Sequence, residues 1–273
     1  MNLSTTITRH PVASFIVLTL GLAFAAFLLP VSGEGALLLL LTFLVAVPTI
    51  VAFALVAVME GRAGVSAFLR QSFRWRAPLI WYLSAIALGF LMQFGSSVLA
   101  LLTGRMSAIE IGAPNAAFIP TLIIFLPFAL LEEIGWRGFA LRRSLDGYSP
   151  FVATLIVGIP WGLIHFGLAM FALSDGRSPV GEALTVLILS FPLTWVFIKS
   201  GRNVLVATVL HYVFNVSGSI AGPGRILSMD ETIWLLLVSS CLVTAFVILI
   251  DWRMWFTRPA KEKAGAMVSS TAS

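Results

Sequence analysis

The chain has 273 residues, 59% of them hydrophobic and 11% charged, with a mean hydropathy of +1.01 and a formal net charge of +5. Soluble domains carry about 25% charged residues, so this composition excludes a soluble globular domain and defines an integral membrane protein. The single cysteine, Cys241, excludes an internal disulfide; no CxxC or Cys/His cluster suggests structural zinc, and no nucleic-acid-binding motif, repeat or low-complexity tract occurs.

A spanning helix needs about 20 apolar residues. Eight stretches qualify: 11–31, 36–59, 78–103, 117–141, 151–173, 180–199, 203–222 and 232–251. The expected fold is therefore all-α and polytopic, with about eight transmembrane helices in the cell membrane and the lipid bilayer as its surroundings. The seams between spans carry turn chemistry: SGEG after the first, LDGYSP before the fifth, SDGRSP before the sixth and GPG after the seventh.

At the first span, Arg9 precedes an apolar run that ends in VSGEG, a pattern shared with cleaved signal peptides. The run is about 20 residues long, beyond the roughly 7–15 of a signal segment, so a retained helix is expected. After the second span, GRAGVSAFLRQSFRWRA (61–77) alternates arginine with Phe and Trp, as an amphipathic stretch at the membrane surface does.

The fourth span ends in FALLEEIGWRGFALRR (128–143), which places Glu132, Glu133 and Arg137 inside a helical run. The ten Leu, Ile or Phe residues between Ala117 and Leu131 favour insertion by roughly 4–5 kcal/mol. Three unpaired charges would cost roughly 7–10 kcal/mol, so these residues need partners. Glu133 and Arg137 are four apart, in the favourable order for an ion pair. Adjacent residues point about 100° apart around a helix, which leaves Glu132 outside that pair. It shares its face with Gly135 and Gly138, where another helix can come close, and Pro127, one turn earlier, frees a backbone carbonyl.

Two of the three histidines also lie within spans. In the fifth, His165 lies on one face with Trp161 and Gly158, just after Pro160. In the seventh, Thr208, His211, Asn215 and Ser219 follow helical spacing. Each alone reads as a buried group bonded within the bundle, and the Thr–His–Asn–Ser stripe reads as interhelical hydrogen-bond glue. Taken together on three spans, they point to one shared interior site. A carboxylate and an imidazole can deprotonate a water, and a second imidazole with an amide one turn away can donate to an oxyanion. No GxSxG, SxxK or HExxH occurs, which disfavours serine hydrolases and standard zincins. No cofactor is implied, although two Glu and two His leave zinc open.

The basic residues give the expected orientation. Fourteen Lys and Arg residues fall on one side: Arg9, Arg62, Arg70, Arg74, Arg76, Arg137, Arg142, Arg143, Lys199, Arg202, Arg253, Arg258, Lys261 and Lys263. Only Arg105, Arg177 and Arg225 fall on the other. By the positive-inside rule both termini are cytoplasmic.

EEIGWR matches the EExxxR motif of the CPBP family, the intramembrane glutamic endopeptidases that include CAAX prenyl proteases, bacteriocin-processing proteins and abortive-infection proteins. WGLIH and HYVFN resemble its aromatic-xxx-His and His-xxx-Asn motifs, in the same order. The resemblance covers 117–222 and implies a catalytic core of four helices there. Residues 1–116 then supply three N-terminal helices with a basic loop, and 223–273 the last helix with a basic tail. It implies that Glu132 and His165 activate water, that His211 and Asn215 stabilise the oxyanion, and that Glu133, Arg137 and Trp161 organise the site. Trp161 stands where phenylalanine is commoner in the family. The implied function is an endopeptidase without a metal, acting at a cytoplasm-facing cavity. Its partner is a peptide or protein substrate in or at the membrane, prenylated or not, with no nucleic acid involved. Two rival readings stand beside it: a proton-coupled transporter, which would show inverted repeats that the halves of this chain lack, and a catalytically silent membrane partner.

Overall fold

Apolar runs separated by turn residues fold into helices throughout. A computed structural model describes residues 3–258 except 31, 110, 112–117 and 174, and among these there is no strand. The helices are α1 (Leu3–Arg9), α2 (Pro11–Phe27), α3 (Glu34–Ser72), α4 (Leu79–Leu102) and α5 (Phe118–Glu133), the last continuing as a π-helix (Ile134–Leu141). There follow α6 (Arg142–Ser144), α7 (Pro150–Phe171), α8 (Pro179–Lys199), α9 (Val204–Ala221), α10 (Met229–Ile250) and α11 (Trp252–Phe256). The residues Lys261 and Lys263, and the expected start of the core at 117, lie outside the described residues.

Seven of these helical runs are long and apolar enough to cross a membrane: α3, α4, α5 with its π continuation, α7, α8, α9 and α10. The first expected span, 11–31, is shorter than the sequence suggests. α2 has 17 residues, about 26 Å at 1.5 Å per residue, against a hydrocarbon core of about 30 Å. It stops at Phe27 because Pro30 disfavours the helical conformation in the residue before it. Exposed large side chains such as Leu39, Ile123, Leu242, Phe246 and Leu249 ring the bundle. Such an apolar surface suits lipid rather than water.

Helix direction and polar contacts sort the loops into two ends. At one end Arg143 pairs with Glu60 (2.7 Å), Arg202 with Asp146 (3.0 Å) and Lys199 with Asp251 (3.1 Å). The Asn203 amide donates there to the Arg74 carbonyl (2.8 Å). At the other end Arg105 pairs with Glu231 (2.8 Å), and Arg177 with Asp175 (2.6 Å). These ends agree with the division read from the arginines, with one correction. Arg137 is wholly buried and belongs to the bundle interior, not to the arginine-rich face.

The stretch 61–77 also differs in part from its expectation as a surface segment. Gly61 takes a left-handed φ of +64° that breaks α3, and the chain then runs helically to Ser72. Phe68 turns inward, 4.9 Å from the Phe53 ring, whereas Leu69, Phe73 and Trp75 remain exposed.

The core meets most tightly around the π-helix. Trp136 and Phe139 are fully buried against Phe15 of α2, with ring centroids 5.2 and 5.3 Å away. Gly135 lies against Pro48 of α3, where an added Cβ would come within 2.5 Å of the Pro48 Cβ. Nothing bulkier than hydrogen fits without moving one helix. Gly135→Ala is therefore expected to destabilise by about 1–3 kcal/mol, the usual cost of overpacking. Thermal unfolding in detergent measures this, and an unchanged Tm would mean that the crossing yields freely.

Candidate functional site

The span 117–141 was expected as one helical run, and its hydrogen-bond register changes at the charged motif. After Glu133 the backbone adopts π bonding, with the Arg142 N–H donating to the Arg137 carbonyl five residues back. Single π turns are uncommon and recur at functional sites. At the transition the Thr49 hydroxyl of α3 donates to the Leu131 carbonyl, so a backbone acceptor beside the motif is satisfied from a neighbouring helix.

Glu132, the last residue but one of α5, points into the space between α7 and α9. Its Oε1 accepts from Trp161 Nε1 at 2.9 Å and lies 4.0 Å from His165 Nε2. Its Oε2 lies 3.7 Å from His211 Nε2. The Trp161 ring stands edge-on to both imidazoles, with centroids 5.7 Å from His165 and 5.3 Å from His211. Trp161 thus fixes the Glu132 rotamer and separates the two histidines.

Glu133 is fully buried and meets the other nitrogen of His211. Its Oε1 accepts from Arg137 Nη1 at 3.0 Å and lies 3.0 Å from His211 Nδ1. The Arg137 guanidinium also sits 4.4 Å over the Trp161 ring. A desolvated cation–π contact of this kind contributes about 2 kcal/mol. Arg137 Nε and Nη2 and Glu133 Oε2 have no hydrogen-bond partner among the described residues. One ion pair therefore carries most of the polar satisfaction of two fully buried charges.

His211 comes from α9, and of its stripe it alone reaches across to the glutamates. Thr208 turns back to the Val204 carbonyl (3.0 Å) and Ser219 to the Val216 carbonyl (2.7 Å). Asn215, one turn beyond His211, lines the same cavity as Glu132. Close helix approach at small residues sets these positions. Gly89 of α4 lies against the backbone of Leu210 and Phe214, and Gly158 of α7 against Ser190 of α8.

A cavity of about 740 Å³ leads away from this site. Glu132, Trp161, His165, His211 and Asn215 line its inner part, and Leu173, Arg177, Gly224, Arg225 and Met229 its outer part. Its walls between are mostly apolar, with Ile124, Phe125 and Phe128 among them. The outer part lies at the arginine-poor end. Toward the arginine-rich end Trp136, Arg137, Phe139 and Leu141 are all fully buried.

Glu182, in the first turn of α8, was not among the candidate residues. Its Oε1 lies 3.4 Å from His165 Nδ1 and its Oε2 3.4 Å from Arg177 Nη1. Arg177 also grips Asp175 through Nε and Nη2 at 2.6–3.0 Å, and this hydrogen bonding holds the Asp175 carboxyl below the usual carboxylate range. A carboxylate within the predicted span 180–199 was itself a signal, since intramembrane charges mark functional sites. As for zinc, Glu132, Glu133, His165 and His211 share one region, yet no group of three or more His, Cys, Asp or Glu among the described residues has metal-holding geometry.

A bundle of apolar helices converging buried Glu, His and Arg side chains on a cavity defines a polytopic membrane protein with an intramembrane polar site. Residues 114–217 match the family described as type II CAAX prenyl endopeptidase Rce1-like. Over 149 residues, 52% of its length, the chain is 29% identical to "CAAX prenyl protease 2" of Methanococcus maripaludis. Both similarities support the CPBP/CAAX protease family for this part of the chain. The aligned region spans about half the length (53%) of that curated relative.

Proposed function

We propose that this protein is an intramembrane endopeptidase of glutamic type that cleaves a membrane-associated peptide. The observation that carries this reading is Glu132, held by Trp161 at the inner end of an apolar cavity with an imidazole nitrogen 4.0 Å from one oxygen and another 3.7 Å from the second. A gap of about 4 Å between polar atoms suits one bridging water. A water between Glu132 and His165 would bond to both, and proton removal there yields the nucleophile for a peptide carbonyl. The amide of Asn215 and the ring of His211 face the cavity where the oxyanion would form. His211 meets Glu133 through Nδ1, so donation at Nε2 as well calls for the doubly protonated ring. The Glu133–Arg137 pair then anchors His211 and Trp161.

The cavity end bears on the direction of approach. The sequence suggests a cytoplasm-facing cavity. With the arginine-rich end in the cytoplasm, as charge bias favours, the outer part of the cavity faces the opposite side. A substrate reaching Glu132 would then come from the extracytoplasmic face or laterally from the bilayer. A membrane-impermeant maleimide on intact cells distinguishes the two, with Cys241→Ser as background. Ile226→Cys, beside Arg225, is expected to react directly, and Asp146→Cys only after permeabilisation. The reverse pattern would return the cavity to the cytoplasm.

The activity itself is tested by incubating the purified protein in nanodiscs with two peptide sets, beside Glu132→Gln. One set carries prenylated CAAX termini, after the name of the Methanococcus maripaludis relative, and the other carries unprenylated membrane-spanning segments. Product formed by the wild type and not by the variant supports the proposal, and the set that is cleaved defines the substrate class. Equal turnover, or none in either protein, sinks it.

A further inference from the structure

We infer that Glu182, steadied by Arg177, is a positioning residue that sets the tautomer of His165; its mechanistic consequence rests on the endopeptidase reading. The two carboxylate oxygens of Glu182 have different partners. Oε1 faces His165 Nδ1 at 3.4 Å and Oε2 faces Arg177 Nη1 at 3.4 Å. Arg177 is fixed in turn by its fork onto Asp175. The Glu182 side chain is 12% exposed and, with Arg177, lines the same cavity as Glu132 and His165.

An ionised carboxylate only accepts hydrogen bonds, and a neutral imidazole has one donor and one acceptor nitrogen. Glu182 therefore keeps the His165 proton on Nδ1. Nε2, the nitrogen that faces Glu132 at 4.0 Å, is left with its lone pair toward the cavity, where a base is needed. The same ring with its proton on Nε2 could only donate toward Glu132 and could take no proton from a water between them. The fold supports this arrangement locally. Ser178 caps α8 by accepting from the Gly181 N–H (3.2 Å), which fixes the turn on which Glu182 stands, and a carboxylate suits the first turn of a helix.

The geometry forms a chain from Asp175 through Arg177, Glu182 and His165 to Glu132. Its outer members lie in the 175–178 loop and at the cavity mouth, and its inner member is the water-activating carboxylate of the proposed mechanism. Glu182 touches neither the substrate carbonyl nor the water in this scheme and acts through the imidazole.

The experiment is ¹⁵N-histidine NMR of the full-length protein in nanodiscs, recorded where the imidazole shifts no longer change with pH. Only His10, His165 and His211 contribute signals, and His10→Gln and His165→Gln assign them. In the wild type His165 is expected as the Nδ1–H tautomer; an Nε2–H tautomer overturns the proposal without any variant at Glu182. In Glu182→Gln the carboxamide can turn to satisfy either tautomer, so an Nε2–H population is expected to appear while the His10 and His211 signals stay in place. Unchanged His165 nitrogen shifts in Glu182→Gln overturn it too. With a cleaved substrate in hand, Glu182→Gln is expected to lower kcat at least about tenfold with KM little changed, since a wrong tautomer costs catalytic bases up to about 10⁴-fold. A raised KM at constant kcat would make Glu182 a substrate contact instead. Failure of the wild type to cleave anything counts against the endopeptidase reading alone, because the tautomer is measured without substrate.

Discussion

Glu132→Gln is expected to abolish cleavage while leaving the protein inserted and folded. The carboxamide keeps an oxygen that can accept from Trp161 Nε1, the 2.9 Å bond that holds the side chain in place. It cannot accept a proton from water. The loss is that of a general base, about 10²–10⁴-fold. His165→Ala is expected to fall in the same range, because the proposed water then has one activating partner instead of two. Product release, followed by mass spectrometry, gives kcat, and the thermal transition of each variant shows that the fold survives. Near-wild-type turnover in Glu132→Gln would remove Glu132 from the mechanism. The same result in His165→Ala would leave Glu132 as the only base and take away the reason for the Glu182 arm.

Arg137→Ala is expected to cost about 3–5 kcal/mol, the penalty for leaving one member of a buried ion pair behind. That is a large share of a typical stability of about 5–15 kcal/mol. Both side chains have no exposed surface, so solvent cannot compensate the survivor. The two single changes are not equivalent. Without Arg137, Glu133 keeps its 3.0 Å contact with His211. Without the Glu133 carboxylate, Arg137 keeps, among the described residues, the Trp161 ring face and the more distant attraction of Glu132, and its guanidinium cannot shed its proton. Glu133→Ala is therefore expected to be the more damaging. Glu133→Gln combined with Arg137→Gln is expected to recover part of the stability, since no lone charge remains, while activity stays low because His211 loses its carboxylate anchor. Melting temperature and yield in detergent measure all three. Wild-type stability in both single variants would show that the pair does not hold the bundle together.

Apolar length, arginine bias and the i,i+4 spacing of Glu133 and Arg137 are local properties, and the sequence alone supplied them. It also supplied the expectation that Glu132, His165, His211 and Asn215 share a site, because intramembrane polar groups on separate helices need one another. The structure brings these four to the inner part of one cavity. Three things were decided only in three dimensions. The change to π bonding after Glu133 arises where Gly135 meets Pro48, which lies 87 positions earlier in the chain, and no local pattern encodes that contact. The cavity reaches the arginine-poor end because Trp136 and Phe139 pack against Phe15 of α2, and Phe139 also against Phe68 of α3, at the other; hydropathy reports how apolar a residue is and not which neighbour fills the space beside it. Glu182 meets His165 from 17 positions away through the turn between α7 and α8. Read along the chain it is one carboxylate after a polar seam, and only the antiparallel packing of those two helices brings its oxygen to the imidazole.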